Sequence, residues 1–253
     1  MGYTSMCSNR GAHMNRTITV LAGFFLILCA AAAVFAQQDD GQNETDGENG
    51  LLLAYQRNFA RGNLSTKIQI LQDAGETGDG EMGELYLQAL DFFLDNTETL
   101  GEDATALELA KLAAQLIGQS GYREGITRLW VLFERSENTE VRVTVMHALG
   151  SLLRPEDEVL AEVERWLDIQ NESYRKGGDV NQQVLGEAVT TLGKVGSASS
   201  FKPLFAASML GYSQRIEERA LEALGSLQGD LSELVLEVIE QGYPNEKINA
   251  LEW

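Results

Sequence analysis

The amino-acid sequence predicts an all-α protein, an α-solenoid of about five stacked helix pairs. Two observations carry that prediction. A short motif closed by glycine is written five times, each time with apolar residues at helical rather than alternating spacing. Each copy is followed by a second apolar-periodic stretch, so the chain reads as a row of helix hairpins.

The clearest copy is Glu140 to Gly150 (EVRVTVMHALG); Gln182 to Gly193 and Gln214 to Gly225 follow it closely, Ala106 to Gly118 clearly, and Ser65 to Gly75 in degraded form. Aligned on the glycines, the position nine before holds Thr66, Leu109, Val141, Val184 and Ile216. Five before stand Ile70, Ala113, Val145, Ala188 and Ala220, and four before stand Leu71, Ala114, Met146, Val189 and Leu221. One before stand Ala74, Ile117, Leu149, Leu192 and Leu224. Offsets of this kind draw one stripe along a 3.6-residue helix. The column three before the glycine (Gln72, Gln115, His147, Thr190, Glu222) is the wet side. The glycine itself is expected to end the helix in a left-handed conformation that a Cβ would oppose. The small alanines five positions earlier would let a neighbouring helix come close.

Successive glycines are 43, 32, 43 and 32 residues apart, so long and short units alternate in a larger period of 75. Second helices are expected over 84–94, 122–134, 156–169, 201–210 and 231–240. Hairpins that cannot bury their stripes alone must stack on one another. The extra residues of the long units fall at 96–103 and 171–180, both after a second helix and so on one edge of the stack.

At Glu140-Val-Arg142 followed by Ala148-Leu-Gly150 the chain resembles HEAT repeats, in particular the short HEAT-like units first described in bilin-lyase subunits. The likeness runs over roughly three quarters of the chain, from about Leu64 to the end. It implies an α-α superhelix whose second helices line the concave side. It implies no particular job, because such repeats carry many unrelated ones.

In chain order, residues 1–13 show no periodic pattern, and Met14 makes the better start. From there Arg16, the apolar run Val20 to Leu28 and Val34-Phe35-Ala36 have the layout of a secretory leader over 1–36. Cleavage after Ala36 is one reading. An uncleaved anchor is a second, since Thr17 to Ala36 would span roughly 30 Å as a helix. A lipoprotein at Cys29 is the third, against the bulky Leu28. Each of them exports the body, to the periplasm or to the periplasmic face of the inner membrane.

Both cysteines, Cys7 and Cys29, lie in that leader, so a chain starting at Gln37 has no disulfide framework, thiol nucleophile or cysteine metal site. Such a chain has 17 basic against 38 acidic residues, a net charge of −21. That field repels nucleic acid and anionic membrane surfaces, which leaves contact with a membrane to the leader alone. Residues 37–50, which include the acidic run DDGQNETDGENG, read as a disordered spacer, and 51–61 as an N-terminal capping helix at the head of a solenoid over 51–253. Arg57, Arg61 and Lys67 make the end of that cap locally basic. Asp73 to Glu84 has the outline of a calcium loop but puts Gly75 and Thr77 where oxygen ligands belong. Asn245 to Trp253 begins a sixth first-type helix, either a makeshift cap or the start of a longer array.

No catalytic, cofactor-binding or metal site is expected. The one histidine after the leader, His147, lies in the wet column; Gly118-Gln-Ser-Gly121 is too short for a nucleophile elbow, and Gly193-Lys194-Val195 lacks the hydroxyl of a phosphate loop. The candidate contacts are Tyr174, Arg175 and Lys176, a basic-aromatic island on the long-loop edge, together with Trp130 and Trp166 in second helices, which the resemblance would place toward a groove. The functional expectation is a non-catalytic protein-binding scaffold of the bacterial cell envelope, with a partner that presents basic residues. An envelope enzyme or lyase-type accessory subunit, or a purely structural spacer, are the alternatives.

Overall fold

In the computed structural model the described residues are 44–77 and 82–251, with side chains from Gly50 onward. The leader expected over 1–36, both cysteines and most of the expected spacer therefore lie outside the described residues. The helices, in chain order, are α1 (Glu44–Arg61), α2 (Leu64–Thr77), α3 (Gly83–Asp95), the single turn α4 (Thr97–Leu100), α5 (Ala104–Ser120) and α6 (Ile126–Arg135). They continue with α7 (Thr139–Leu152), α8 (Glu158–Arg175), α9 (Gln182–Val195), α10 (Phe201–Met209), α11 (Gln214–Ser226), α12 (Ser232–Gln241) and α13 (Pro244–Ala250). Among the described residues there is no strand, only one isolated bridge between Ser197 and Gln228. No described helix is long and apolar enough to cross a membrane.

The five motif copies are the first helices α2, α5, α7, α9 and α11, and the intervening stretches are the second helices α3, α6, α8, α10 and α12. Four of the five first helices start where a side chain satisfies their free N–H groups; α11, after Ser213, has no such cap. Asp103 accepts from the amides of Thr105 and Ala106, Asn138 from that of Val141, and Asn181 from those of Gln183 and Val184. Each first helix lies beside the next first helix and against the second helix of the unit before it, while second helices also neighbour one another. This is a solenoid: within Gly47–Trp253 the packing runs from unit to unit. Most of the stripe predicted to be covered is covered, with Val141, Val184 and Ile216 all buried, whereas Thr66 and Leu221 at its two ends are exposed.

The repeated glycines correct the expectation for them. Gly75, Gly118, Gly150, Gly193 and Gly225 all lie inside their helices. The left-handed caps stand further on, at Gly121 (φ 70) and Gly196 (φ 68). What the inner glycines provide is close approach. A Cβ on Gly118 would stand 2.8 Å from the Ala148 Cα, one on Gly193 2.7 Å from the Ala223 Cβ, and one on Gly75 2.7 Å from a Leu116 methyl. Thus the glycine of one unit receives the residue two before the glycine of the next. At Gly150 that residue is Thr191, whose buried hydroxyl donates 2.7 Å to the Met146 carbonyl.

Three further differences bear on the site. α1 begins at Glu44, within the stretch expected to be spacer, where acidic residues suit a helix N-terminus. Its inner face is held by Lys67, which is buried rather than part of a basic surface; the ammonium donates to the Phe59 carbonyl and lies 4.4 Å and 4.6 Å over the Phe59 and Phe92 rings. The expected loop at 171–180 is helical as far as Arg175, and Asp73 to Thr77 are helical too, so the calcium-loop outline has no loop for its first half. Finally, α13 packs chiefly on α12 and α10 and not on the preceding first helix.

Candidate binding cleft

On α8, Asp168, Asn171, Glu172 and Arg175 share one helical face by their spacing. Asn171 fixes that face. Only 1% exposed, it donates 3.0 Å to the Pro203 carbonyl and accepts 3.1 Å from the Tyr212 hydroxyl, which ties α8 to α10 and to the turn before α11. Burial, and the neighbouring Tyr174, push the Tyr212 phenol well above its ordinary pKa, against Arg175. The Tyr174 and Tyr212 rings meet at 4.2 Å, and the Tyr174 hydroxyl donates 3.1 Å to the Gly211 carbonyl.

Arg175 closes one end of the face. Its guanidinium pairs with Glu172 and with Glu246 of α13, and lies 3.9 Å over the Tyr243 ring. The Tyr243 hydroxyl in turn donates 3.1 Å to Glu172. On the opposite wall Lys202 of α10 bridges 2.8 Å to Glu237 of α12. Between these walls, over the buried Phe205 and Val238, lies a cleft of about 310 Å³.

The charge balance of the cleft is uneven. Asp168, Glu172, Glu237 and Glu246 face Arg175 and Lys202. Three of the four carboxylates have a basic partner; Asp168 makes no salt bridge or hydrogen bond among the described residues. Its carboxyl sits on the open rim, yet its pKa is raised. The protein packed around it is the largest cause, Lys202 and Arg175 pull the other way, and Glu164 and Glu172 add to the rise. The arrangement is an acidic notch with one uncommitted anion, suited to an arginine or lysine side chain.

Of the residues singled out from the sequence, Tyr174, Arg175 and Lys176 come together at this end of α8. Two of them are turned to internal use. Arg175 is 19% exposed in its clasp and Tyr174 is packed on Tyr212, while Lys176, 77% exposed, stands 3.6 Å from Glu172. Trp130 and Trp166 do not line the cleft. They flank Phe133, stacked at 5.0 Å and edge-on at 5.1 Å respectively, with the Arg142 guanidinium 4.3 Å over Phe133 and 5.6 Å from Trp166. Asp168, Lys202, Glu237, Tyr243 and Glu246 also belong to the cleft and are not among the residues the sequence singles out. Only Asp168, Glu172 and Arg175 carry a local signal, their shared helical face.

On the first-helix side, His147 meets Glu187 at 3.0 Å beside a groove of about 340 Å³ lined by Gln115, Thr144 and Ser151. The imidazole is two-thirds exposed, as its column predicts. Among the described residues no group of acidic, histidine or cysteine side chains has the geometry to hold a metal ion. Compared with protein-family models and with curated proteins, the chain finds no match.

Proposed function

We propose that this chain is a non-catalytic protein-binding scaffold of the cell envelope, built from HEAT-like hairpins, which takes a basic side chain of a partner protein into the notch between α8, α10 and α12. The observation that carries the reading is Asp168, a carboxylate without a cationic partner in a cleft whose other charges are paired. A guanidinium or ammonium entering there would gain Asp168 directly and the surplus negative field around it. The exposed Lys176 and the turn that follows α8 border the same end of the cleft, so recognition would extend to the long-loop edge. Because the walls are already braced by Arg175–Glu246 and Lys202–Glu237, little ordering remains to oppose binding.

Placement in the envelope rests on the leader over 1–36. Photocrosslinking in the producing cells, from a crosslinking residue placed at Gln241 on the cleft wall, tests the reading. A discrete partner should be captured, and Asp168→Lys should abolish the capture while leaving helicity unchanged. Capture that is indifferent to Asp168→Lys, or no discrete product at all, would rule the notch out. Added salt should weaken the interaction progressively.

A further inference from the structure

The inner columns of the solenoid behave differently at its last first helix. Four before the glycine, Leu71, Ala114, Met146 and Val189 are wholly buried, because the next first helix lies on them. The fifth member, Leu221 on α11, is 49% exposed. The glycines agree: four have the next unit against them, whereas nothing stands within 4 Å of a Cβ on Gly225. α11 thus keeps a seam shaped like the four covered ones, with α13 packed elsewhere. Along that seam Glu218, Leu221, Glu222 and Gly225 follow one another at helical spacing, all exposed.

The opposite end of the unit carries a matching surface. α1 turns Leu52, Tyr55 and Phe59 toward the core. Its outer stripe exposes Leu53, Ala54, Arg57 and Arg61, with Leu53 49% exposed. A leucine, a small residue and two arginines stand on one end; a leucine, a glycine and two glutamates stand on the other.

We propose that copies of this chain stack end to end, with α1 of one copy on the α11 seam of the next. Ala54 would meet Gly225 as Ala148 meets Gly118 and Ala223 meets Gly193, small residue against glycine. Arg57 and Arg61 would face Glu218 and Glu222. The two surfaces are different, so the contact is heterologous and leaves an open seam at the end of every added copy.

Sedimentation velocity of the full chain over a wide concentration range tests it. The unaltered protein should grow with concentration, and Leu221→Glu should remain monomeric. Arg57→Glu/Arg61→Glu and Glu218→Arg/Glu222→Arg should each remain monomeric alone and assemble again when mixed, since each then offers the end the other needs. All these side chains are exposed, and circular dichroism should show unchanged helix in every variant. An unaltered protein that stays monomeric, association that survives Leu221→Glu, or a mixture that fails to assemble would overturn the proposal. So would a closed symmetric dimer, or occupation of the Leu221 seam by a different protein only.

Discussion

Arg175 on α8 is bound to Glu246 on α13, seventy-one residues further along the chain. The pair spans two intervening hairpins, with side chains only 19% and 13% exposed. Breaking it strands a half-buried charge, at a cost of about 1–3 kcal/mol. Arg175→Met should therefore loosen α13, read as faster amide exchange across Pro244–Ala250 with little change at α2 or α5. Lys176→Met, at an exposed ammonium, should shift exchange nowhere. Equal effects from both would remove the clasp from the account.

The glycine column makes opposite predictions at its two ends. Gly118→Val and Gly193→Val drive a side chain into the backbone of the next helix and should each cost about 1–3 kcal/mol or more. Gly225→Ala meets nothing and lies in a helix, so it should add about 0.5–1 kcal/mol in dilute solution. Urea unfolding of the three variants decides the matter, and a destabilised Gly225→Ala would contradict it.

Tyr212→Phe leaves the Asn171 side-chain oxygen buried without a donor, a loss of about 1–3 kcal/mol. The raised phenol pKa adds a dependence on pH. Its stabilising effect is complete below about pH 10, where the unfolded tyrosine would begin to ionise, and is lost as pH rises beyond that. Alkaline unfolding should consequently be shallower in Tyr212→Phe than in the parent. Parallel alkaline curves would show that Tyr212 is not the group responsible.

Asp168 separates binding from folding. Its pKa is raised in the fold, so its contribution to stability is full below the unfolded aspartate pKa of about 3.9 and falls away as pH climbs through the folded value. Asp168→Asn should thus be neutral or stabilising at pH 7 by thermal melting, while weakening capture of a basic partner. A clear loss of thermal stability would mean that the carboxylate is engaged after all.

Arg142 lies over Phe133 and beside Trp166 with its Nε buried and unpaired. Burial also lowers its pKa, with Glu137 opposing, although a guanidinium stays charged. Replacing a poorly partnered cation by an apolar chain of similar length is often neutral or favourable. Arg142→Met is expected to melt at or above the parent temperature, whereas Phe133→Ala should cost about 3–5 kcal/mol. A marked loss in Arg142→Met would show that the stacking outweighs the buried charge.

The helices were legible because burial imposes a period on the residues, and Val141, Val184 and Ile216 obey it. Four of the second helices likewise fall within a few residues of their expected spans, whereas α8 runs six residues past its own. The role of Gly118 and Gly193 was not legible, since a glycine near a helix end suits both a left-handed cap and a close crossing. Only the partner atoms of Ala148 and Ala223 distinguish the two. The extent of α8 was obscured by polar residues from Asn171 onward; one of them is buried and the helix stops only before Gly177, at φ 81. The cleft was the least visible feature. Its charged side chains come from four helices, and nothing local to Tyr243 or Glu246 announces a partner on α8.

Neighbour-to-neighbour stacking also settles how such a body would respond to tension. Pulled from its two termini, the row would pay out one hairpin at a time, like a spring losing coils, since removing an outer unit disturbs only the unit beneath it. The exception is the last stretch. Arg175 is fastened to Glu246 beyond α10, so elongation from the C-terminal side would begin with a single larger step in place of two small ones.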